Sequence, residues 1–359
     1  MIEYYAHQIY PLIASVLSSI AALFPFSLSA ILLLLAALFY LWKLVSAIRQ
    51  KRGIRCFLAR LLLPLLLVLS WMYATWGILY FRDTWYQRAG IEKATPDSAA
   101  YIQFLDYYIE NLNRSYTQSL TSPLRTLTPK LTNPASIHPI ATDSNAADSL
   151  AFDPIAIGWW DSSRAREVDA ILEQSYSRIA PSLGISYPNG IRRPKKVFMN
   201  EYYTRTSILG YFLPFFHEIH LNPQQPWLQY PGALAHEKAH QFGITSEAEC
   251  NFYGYLACIE SDNPFVQYSG YFSVLGYIAS DARRLLPGTW RTYLAKIDPH
   301  ILAESAQISA YWRSHRHEKL SRIQNKVYDT YLKANRIPTG IQNYGEVTAL
   351  LLTQYSAKR

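Results

Sequence analysis

The sequence predicts an α+β chain, mostly helical, in which N-terminal transmembrane helices precede a soluble domain with a small sheet. Three observations predict this. Apolar runs at residues 10–24, 30–42 and 61–80 crowd the first 88 residues, and a helix needs about 20 apolar residues to cross the hydrocarbon of a bilayer. Beyond them apolar residues recur at helical spacing, as at Ile102, Leu105, Ile109 and Leu112. Only two short stretches, 196–200 and 210–221, read as strands, the second broken near Pro214.

The second and third apolar runs, with their flanks, are long enough to span. The first is shorter, so three spans are expected, with two the alternative if the first is re-entrant or interfacial. A cleaved signal peptide fits poorly, because Glu3 stands where a basic n-region belongs. Buried core helices are a poor reading of the leucine runs, because Trp42, Trp71 and Trp76 flank them as interface anchors do. Lys43, Arg49, Lys51, Arg52, Arg55 and Arg60 lie between the second and third runs. Positive loops stay cytoplasmic, which puts residues 25–29 and everything after about Arg82 outside. A multi-pass protein of the cell membrane follows, its partner the lipid bilayer and its soluble domain extracytoplasmic.

The soluble part begins with a helix over 98–116. A Ser-, Thr-, Pro- and Asn-rich linker follows at 119–149, then a helix from 164 to 183 ended by Gly184. The chain divides into a membrane region at 1–88, a helix with irregular linker at 89–160, and a domain at 161–359. Half of the 359 residues are apolar and 28 are tyrosine, which excludes a disordered or fibrous chain. The net charge of +8 resides largely in the positive loop and in Arg192, Arg193, Lys195 and Lys196. With no recurring basic helix or aromatic-basic motif, nucleic acid is not an expected partner. Cys250 and Cys258 fall on one helix, roughly 12 Å apart along its axis, too far to be bridged. With Cys56 at the edge of an apolar run, there is no disulfide framework and no CxxC metal site.

The stretch 231–255 reads PGALAHEKAHQFGITSEAECNFYGY. On a helix His236 and His240 project from one face, one turn apart, where two neutral imidazoles can hold one zinc ion at roughly 2.0–2.1 Å. Glu237 then lies beside the open position, placed to take a proton from water and return it to a leaving amine. Pro231 suits a first helical turn, and Gly243 a helix end that needs positive φ. A catalytic site needs a third protein ligand, and Glu247 and Glu249 follow the glycine at once. Residues 246–249 spell S-x-x-E, a capping box that would occupy Glu249 at its own helix start. Glu247 is thus the expected ligand and Glu249 the alternative, with Asn251 one turn on to orient the ligands. Two solvated histidines on a surface helix would be the plainer reading. However, Ala233, Leu234, Ala235 and Ala239 make the helix look buried, where unliganded histidines are costly.

The spacing H-E-x-x-H-x-x-G followed by an acidic ligand resembles the zincin metallopeptidases. Thr245 and Ser246 stand where metzincins carry a third histidine, so the set is gluzincin-like, and Glu247 with Asn251 resembles the gluzincin E-x-x-x-D/N helix. Across most of its length the chain also resembles DUF3810, a family of bacterial membrane proteins of unknown function. That likeness is carried by AHEKAHQFGITSEAECNF, by YSGYFSVLGYI from Tyr268 and by VYDTYLKANRIPTGIQNYGEV from Val327. The chain departs from it at Lys238, where an aliphatic residue is usual, and at Leu79, where a polar one is more frequent. The resemblance implies a membrane-bound, zincin-like domain with zinc as cofactor and names no substrate.

By analogy with zincins, residues 210–220 would pair with an extended substrate through an exposed edge. His217 and His220 alternate across that segment and are expected in structural or surface roles. Tyr344, Tyr268 and Tyr271 are candidate donors to an oxyanion. His315, His317 and Glu318, among basic neighbours, read as a solvated helix face. Hydrolysis of a peptide or protein at the outer membrane face, with Glu237 as general base and acid, is therefore expected. The rivals are a non-enzymatic membrane sensor or scaffold with a structural zinc, and a hydrolase of another amide or a cell-wall component.

Overall fold

A computed structural model describes residues 1–50, 54–94, 97–125, 162–197, 199–334 and 344–358. The chain opens with α1 (Ile2–Tyr4), which passes through a π turn (Tyr5–Ile9) into α2 (Tyr10–Ala22), then α3 (Leu28–Arg49) and α4 (Ile54–Thr75). A 3-10 turn (Gly77–Phe81), α5 (Trp85–Ala89), α6 (Ser98–Ser119) and α7 (Ser162–Ile179) follow. Next come β1 (Lys195–Lys196), α8 (Asn200–Arg205), β2 (Gly210–Leu213) and β3 (Glu218–Leu221). The remainder is helical: α9 (Tyr230–Gln241), α10 (Glu247–Ile259), α11 (Pro264–Leu285), α12 (Trp290–Leu294), α13 (Pro299–His315), α14 (Glu318–Ala334) and α15 (Tyr344–Ala357).

The core forms where α9 and α10 pack together, with α11 against both, α6 along α11 and α15 closing on α10 and α11. Leu234, Ala235, Ala239, Phe252, Ala257, Val274 and Ile278 are fully buried there. Burial of a large apolar side chain contributes about 1.5–3 kcal/mol. The helix expected over 98–116 is α6, whose Leu105, Ile109 and Leu112 face this core. Most of the segment 119–149 lies outside the described residues.

The sheet has the order β1-β3-β2, with β3 parallel to β1 and antiparallel to β2. Two expectations change here. The stretch 210–221 is a hairpin rather than one broken strand, reversed between Leu213 and Glu218 with His217 at φ 52°. β1 is only two residues long, because Asn200 already starts α8. His315 and His317 are exposed, as expected, but a break between α13 and α14 separates them, so they share no helix face.

The membrane region differs most from expectation. Among the described residues one helix, α3, is long and apolar enough to cross a bilayer, and none of its apolar window is buried in the protein. Within α4 the described apolar stretch, Pro64–Thr75, is shorter. The first apolar run forms a thirteen-residue helix, α2, with Tyr10, Ala14, Leu17, Ser18 and Ala21 buried against the rest of the protein. The Tyr10 hydroxyl donates to the Gln241 carbonyl at 3.0 Å and the Ile191 N–H to Ser19 Oγ at 3.1 Å. An apolar row of Leu12, Val16, Ile20 and Leu23 is left on its outer face.

The hairpin β2–β3 holds the ends of the apolar helices. The buried Glu218 carboxylate accepts the N–H groups of Leu28 (2.9 Å) and Ser29 (2.7 Å) at the start of α3, where the helix dipole favours an anion. Lys195 pairs with Glu218 and donates to the carbonyls of Ala21 (3.0 Å) and Phe26 (2.7 Å). Trp71 Nε1, in the last turn of α4, donates to the Phe215 carbonyl at 3.2 Å.

Candidate metal centre

Helix α9 begins with Pro231 in its first turn and carries His236, Glu237 and His240 on a helix buried along most of its length. It stops at Phe242 because Gly243 takes φ 91°, a conformation that costs a side-chain-bearing residue but not glycine. Three residues later Ser246 caps α10, its side chain accepting from the Glu249 N–H at 3.3 Å. The reversal brings Glu247 back over the imidazoles. Its Oε2 lies 3.2 Å from His236 Nε2 and its Oε1 3.4 Å from His240 Nε2. One ligand atom from each residue falls within 4.8 Å of the other two.

The two carboxylate–imidazole separations suit a cation. Ligands at roughly 2.0–2.2 Å from a tetrahedral ion lie roughly 3.3–3.6 Å apart. The far ring nitrogens are already engaged: His236 Nδ1 meets Asn251 Oδ1 at 3.1 Å and His240 Nδ1 the Ile244 carbonyl at 2.9 Å. Those acceptors fix the protons on Nδ1 and free both Nε2 lone pairs for the shared point, the arrangement that orients imidazoles on metals. Asn251 is held in turn, donating to the Glu247 carbonyl (2.9 Å) and to Tyr277 (3.2 Å). The two histidines hold the Glu247 carboxyl well below the usual carboxylate range, although burial opposes them.

Glu237 shares the chamber without joining the three. Its Oε2 is buried and has no hydrogen-bond partner among the described residues. Burial pushes its carboxyl up, with the two histidines opposing and Glu247 reinforcing. Gly210 of β2 lies alongside: a Cβ there would sit 3.0 Å from Glu237 Cγ. Among the described residues β2 is an edge strand of the sheet, so the acid group and that strand edge are neighbours.

Glu249 is not free to compete. Its Oε1 accepts the Trp85 N–H at 2.8 Å and its Oε2 pairs with Arg88 at 2.6 Å. The expected reason was a reciprocal box within α10; the actual partners belong to α5. His217 and His220 also stay out of the cluster and are buried, so a surface role is excluded. Burial pushes His217 down to about 3 and His220 to about 4, leaving both neutral. Tyr268 donates to Glu304 at 2.5 Å, and Tyr271 packs against Tyr108 and Tyr255, all in the core. Tyr344 opens α15, but its side chain lies outside those described.

Sequence reasoning missed four contributors. Tyr328, on α14, donates its hydroxyl to Glu247 Oε1. Trp76, just after α4, stands edge-on to the His240 ring at 6.0 Å and against Phe212 of β2 at 4.9 Å. Cys250 places its sulfur 3.2 Å from His240 Nδ1, a thiol that burial pushes up to about 12 and keeps neutral. Lys238, on α9 and without exposed surface, pairs with Asp169 (2.6 Å) and Glu173 (2.5 Å). Tyr328 falls within the piece 327–347 that carries the family likeness, and Lys238 and Cys250 within the piece 235–252, but their spacing alone did not join them to the site.

A family model described as "Protein of unknown function (DUF3810)" matches residues 5–352. No curated protein and no solved structure matches the chain.

Proposed function

The chain belongs to the DUF3810 family, and from its candidate metal centre we propose that it is a membrane-anchored zinc metallopeptidase. His236, His240 and Glu247 would hold the ion, which when bound supplies Lewis acidity and makes a water nucleophilic near neutral pH. One observation carries the reading: three metal-competent atoms converge within 4.8 Å beside a buried carboxylate oxygen that has no partner among the described residues. A structural zinc site has no use for such a group and closes its fourth position with protein.

Glu237 takes a proton from the attacking water as the new C–O bond forms. It delivers that proton to the amine nitrogen as the C–N bond breaks, and burial, by raising its carboxyl, suits it to both transfers. The edge of β2 aligns an extended peptide beside Glu237 by adding a strand. Tyr328, whose one hydroxyl proton goes to Glu247 Oε1, turns it to the developing oxyanion when the ion takes that carboxylate. The apolar pair α3–α4 spans the bilayer as a hairpin with its basic connection, Lys43 to Arg60, in the cytoplasm. The soluble domain then lies outside.

The test is Glu237→Gln in the full chain. Retained zinc with cleavage of a randomised peptide library lost by about 10²–10⁴-fold supports the peptidase. Zinc retained with no cleavage by the wild type favours the sensor or scaffold.

A further inference from the structure

Resting on the peptidase reading, the geometry points to a substrate class: we propose that the site cuts extended peptide segments tethered to the bilayer, within a few residues of its surface. The edge strand β2 runs between two fixed places. At Gly210 it lies against Glu237. At its other end Leu213 stands opposite Glu218 in the hairpin register, and Glu218 holds the first turn of α3 through the N–H groups of Leu28 and Ser29. Two residues beyond Leu213, the Phe215 carbonyl takes the Trp71 indole N–H from the last turn of α4. Both apolar helices therefore meet the same end of the strand that lies beside the acid group.

The distance is short. At about 3.3 Å per residue, Gly210 to Leu213 covers roughly 10 Å and Gly210 to Phe215 at most about 17 Å. A peptide paired along the β2 edge and leaving the bilayer beside Trp71 thus reaches Glu237 after about three to six residues. The surface around that end is built for lipid. The exposed row Leu12, Val16, Ile20 and Leu23 on α2 runs on through Phe24 and Phe26 to the exposed leucines of α3, with Trp71 and Tyr73 also exposed on the last turns of α4. Aromatic side chains of this kind settle at the headgroup level. Trp76, touching both the His240 ring and Phe212, extends the membrane helix directly into the wall of the site.

The experiment uses the zinc-loaded full chain in phosphatidylcholine vesicles and one randomised ten-residue library in three formats. The library is joined directly to a transmembrane anchor helix, joined through a twenty-residue Gly-Ser spacer, or left free. The spacer keeps the general advantage of tethering but moves the library away from the surface. The expected result is cleavage at least tenfold faster in the directly joined format, with cuts about three to six residues from the anchor. Equal rates for the spaced and direct formats would overturn the proposal while leaving the peptidase reading intact. A second readout needs no turnover: Glu237→Gln is illuminated with a directly anchored peptide carrying a photo-crosslinker at its fifth residue. Crosslinks to residues 210–213 support the proposal, and labelling that is absent or no greater than with the spaced peptide contradicts it. No cleavage in any format would overturn the peptidase reading and the cutting proposed here with it, and those crosslinks would then show only where a tethered peptide binds.

Discussion

Replacing Lys238 with methionine should expose how much the ionic packing behind the metal helix contributes. Lys238 has no exposed surface and is held between Asp169 and Glu173, with Arg192 on the far side of Glu173 at 2.7 Å. Methionine fills a similar volume, so the loss is electrostatic rather than a cavity. Glu173 keeps Arg192, while Asp169 loses the cation that faces it. Neutralising an ordinary carboxyl of pKa about 3.9 at pH 7 costs about 4 kcal/mol, which caps the penalty. Removing one partner of a buried pair typically costs about 3–5 kcal/mol. Burial already pushes the Asp169 carboxyl up, which trims the cost, so about 3 kcal/mol is expected. Protonation is easier at pH 5 by up to about 2.7 kcal/mol, and most of the defect should vanish there. Adding Asp169→Asn should restore much of the stability at pH 7, because the orphaned charge is gone. Thermal unfolding in detergent, followed by near-ultraviolet circular dichroism, reads this as a fall in Tm of about 6 °C at roughly 2 °C per kcal/mol. An unchanged Tm at pH 7, or a double variant weaker than the single, would refute the reasoning.

Further outcomes follow from the same geometry. Tyr328→Phe should lower kcat about 10²-fold with KM nearly constant and zinc content unchanged; a raised KM at full kcat would show that the hydroxyl only shapes the site. Asn251→Ala should weaken zinc binding by about 10–100-fold in chelator competition, and an unaltered affinity would mean that His236 needs no such support. Lys238 and Arg192, outweighing burial, bring the Glu173 carboxyl down to about 2 from 4.5 in the unfolded chain. That contributes about 3 kcal/mol of stability, present above pH 4.5 and lost as pH falls towards 2. Glu173→Gln should flatten that decline in Tm, and a decline as steep as the wild type's would reassign it.

What the sequence disclosed was local. The i, i+4 spacing of His236 and His240 is a property of helix period alone, and the return of Glu247 needs only the Gly243 bend and the Ser246 cap. What it hid depends on distant partners. Glu249, the alternative ligand, is held by Trp85 and Arg88, more than 160 positions away, partners that the local capping pattern did not disclose. Tyr328 reaches the cluster from 81 positions away. The sequence left the α2 segment open between a span and an interfacial helix, because an apolar run is equally at home in lipid and against protein. Its inward face carries Ala14, Ser18 and Ala21, small enough for close packing, and hydropathy does not distinguish that from a span. The strand at 210–221 became a hairpin because His217 adopts a left-handed conformation that residue type does not announce.

The central claim is one divalent ion shared by His236, His240 and Glu247. Its most direct test is metal content, by mass spectrometry, of the purified full chain after zinc loading and gel filtration. Wild type and Glu249→Ala should each carry one zinc per chain, while His240→Ala and Glu247→Ala should carry almost none. A wild-type chain free of zinc, or a Glu247→Ala chain that keeps a full equivalent, would contradict the account.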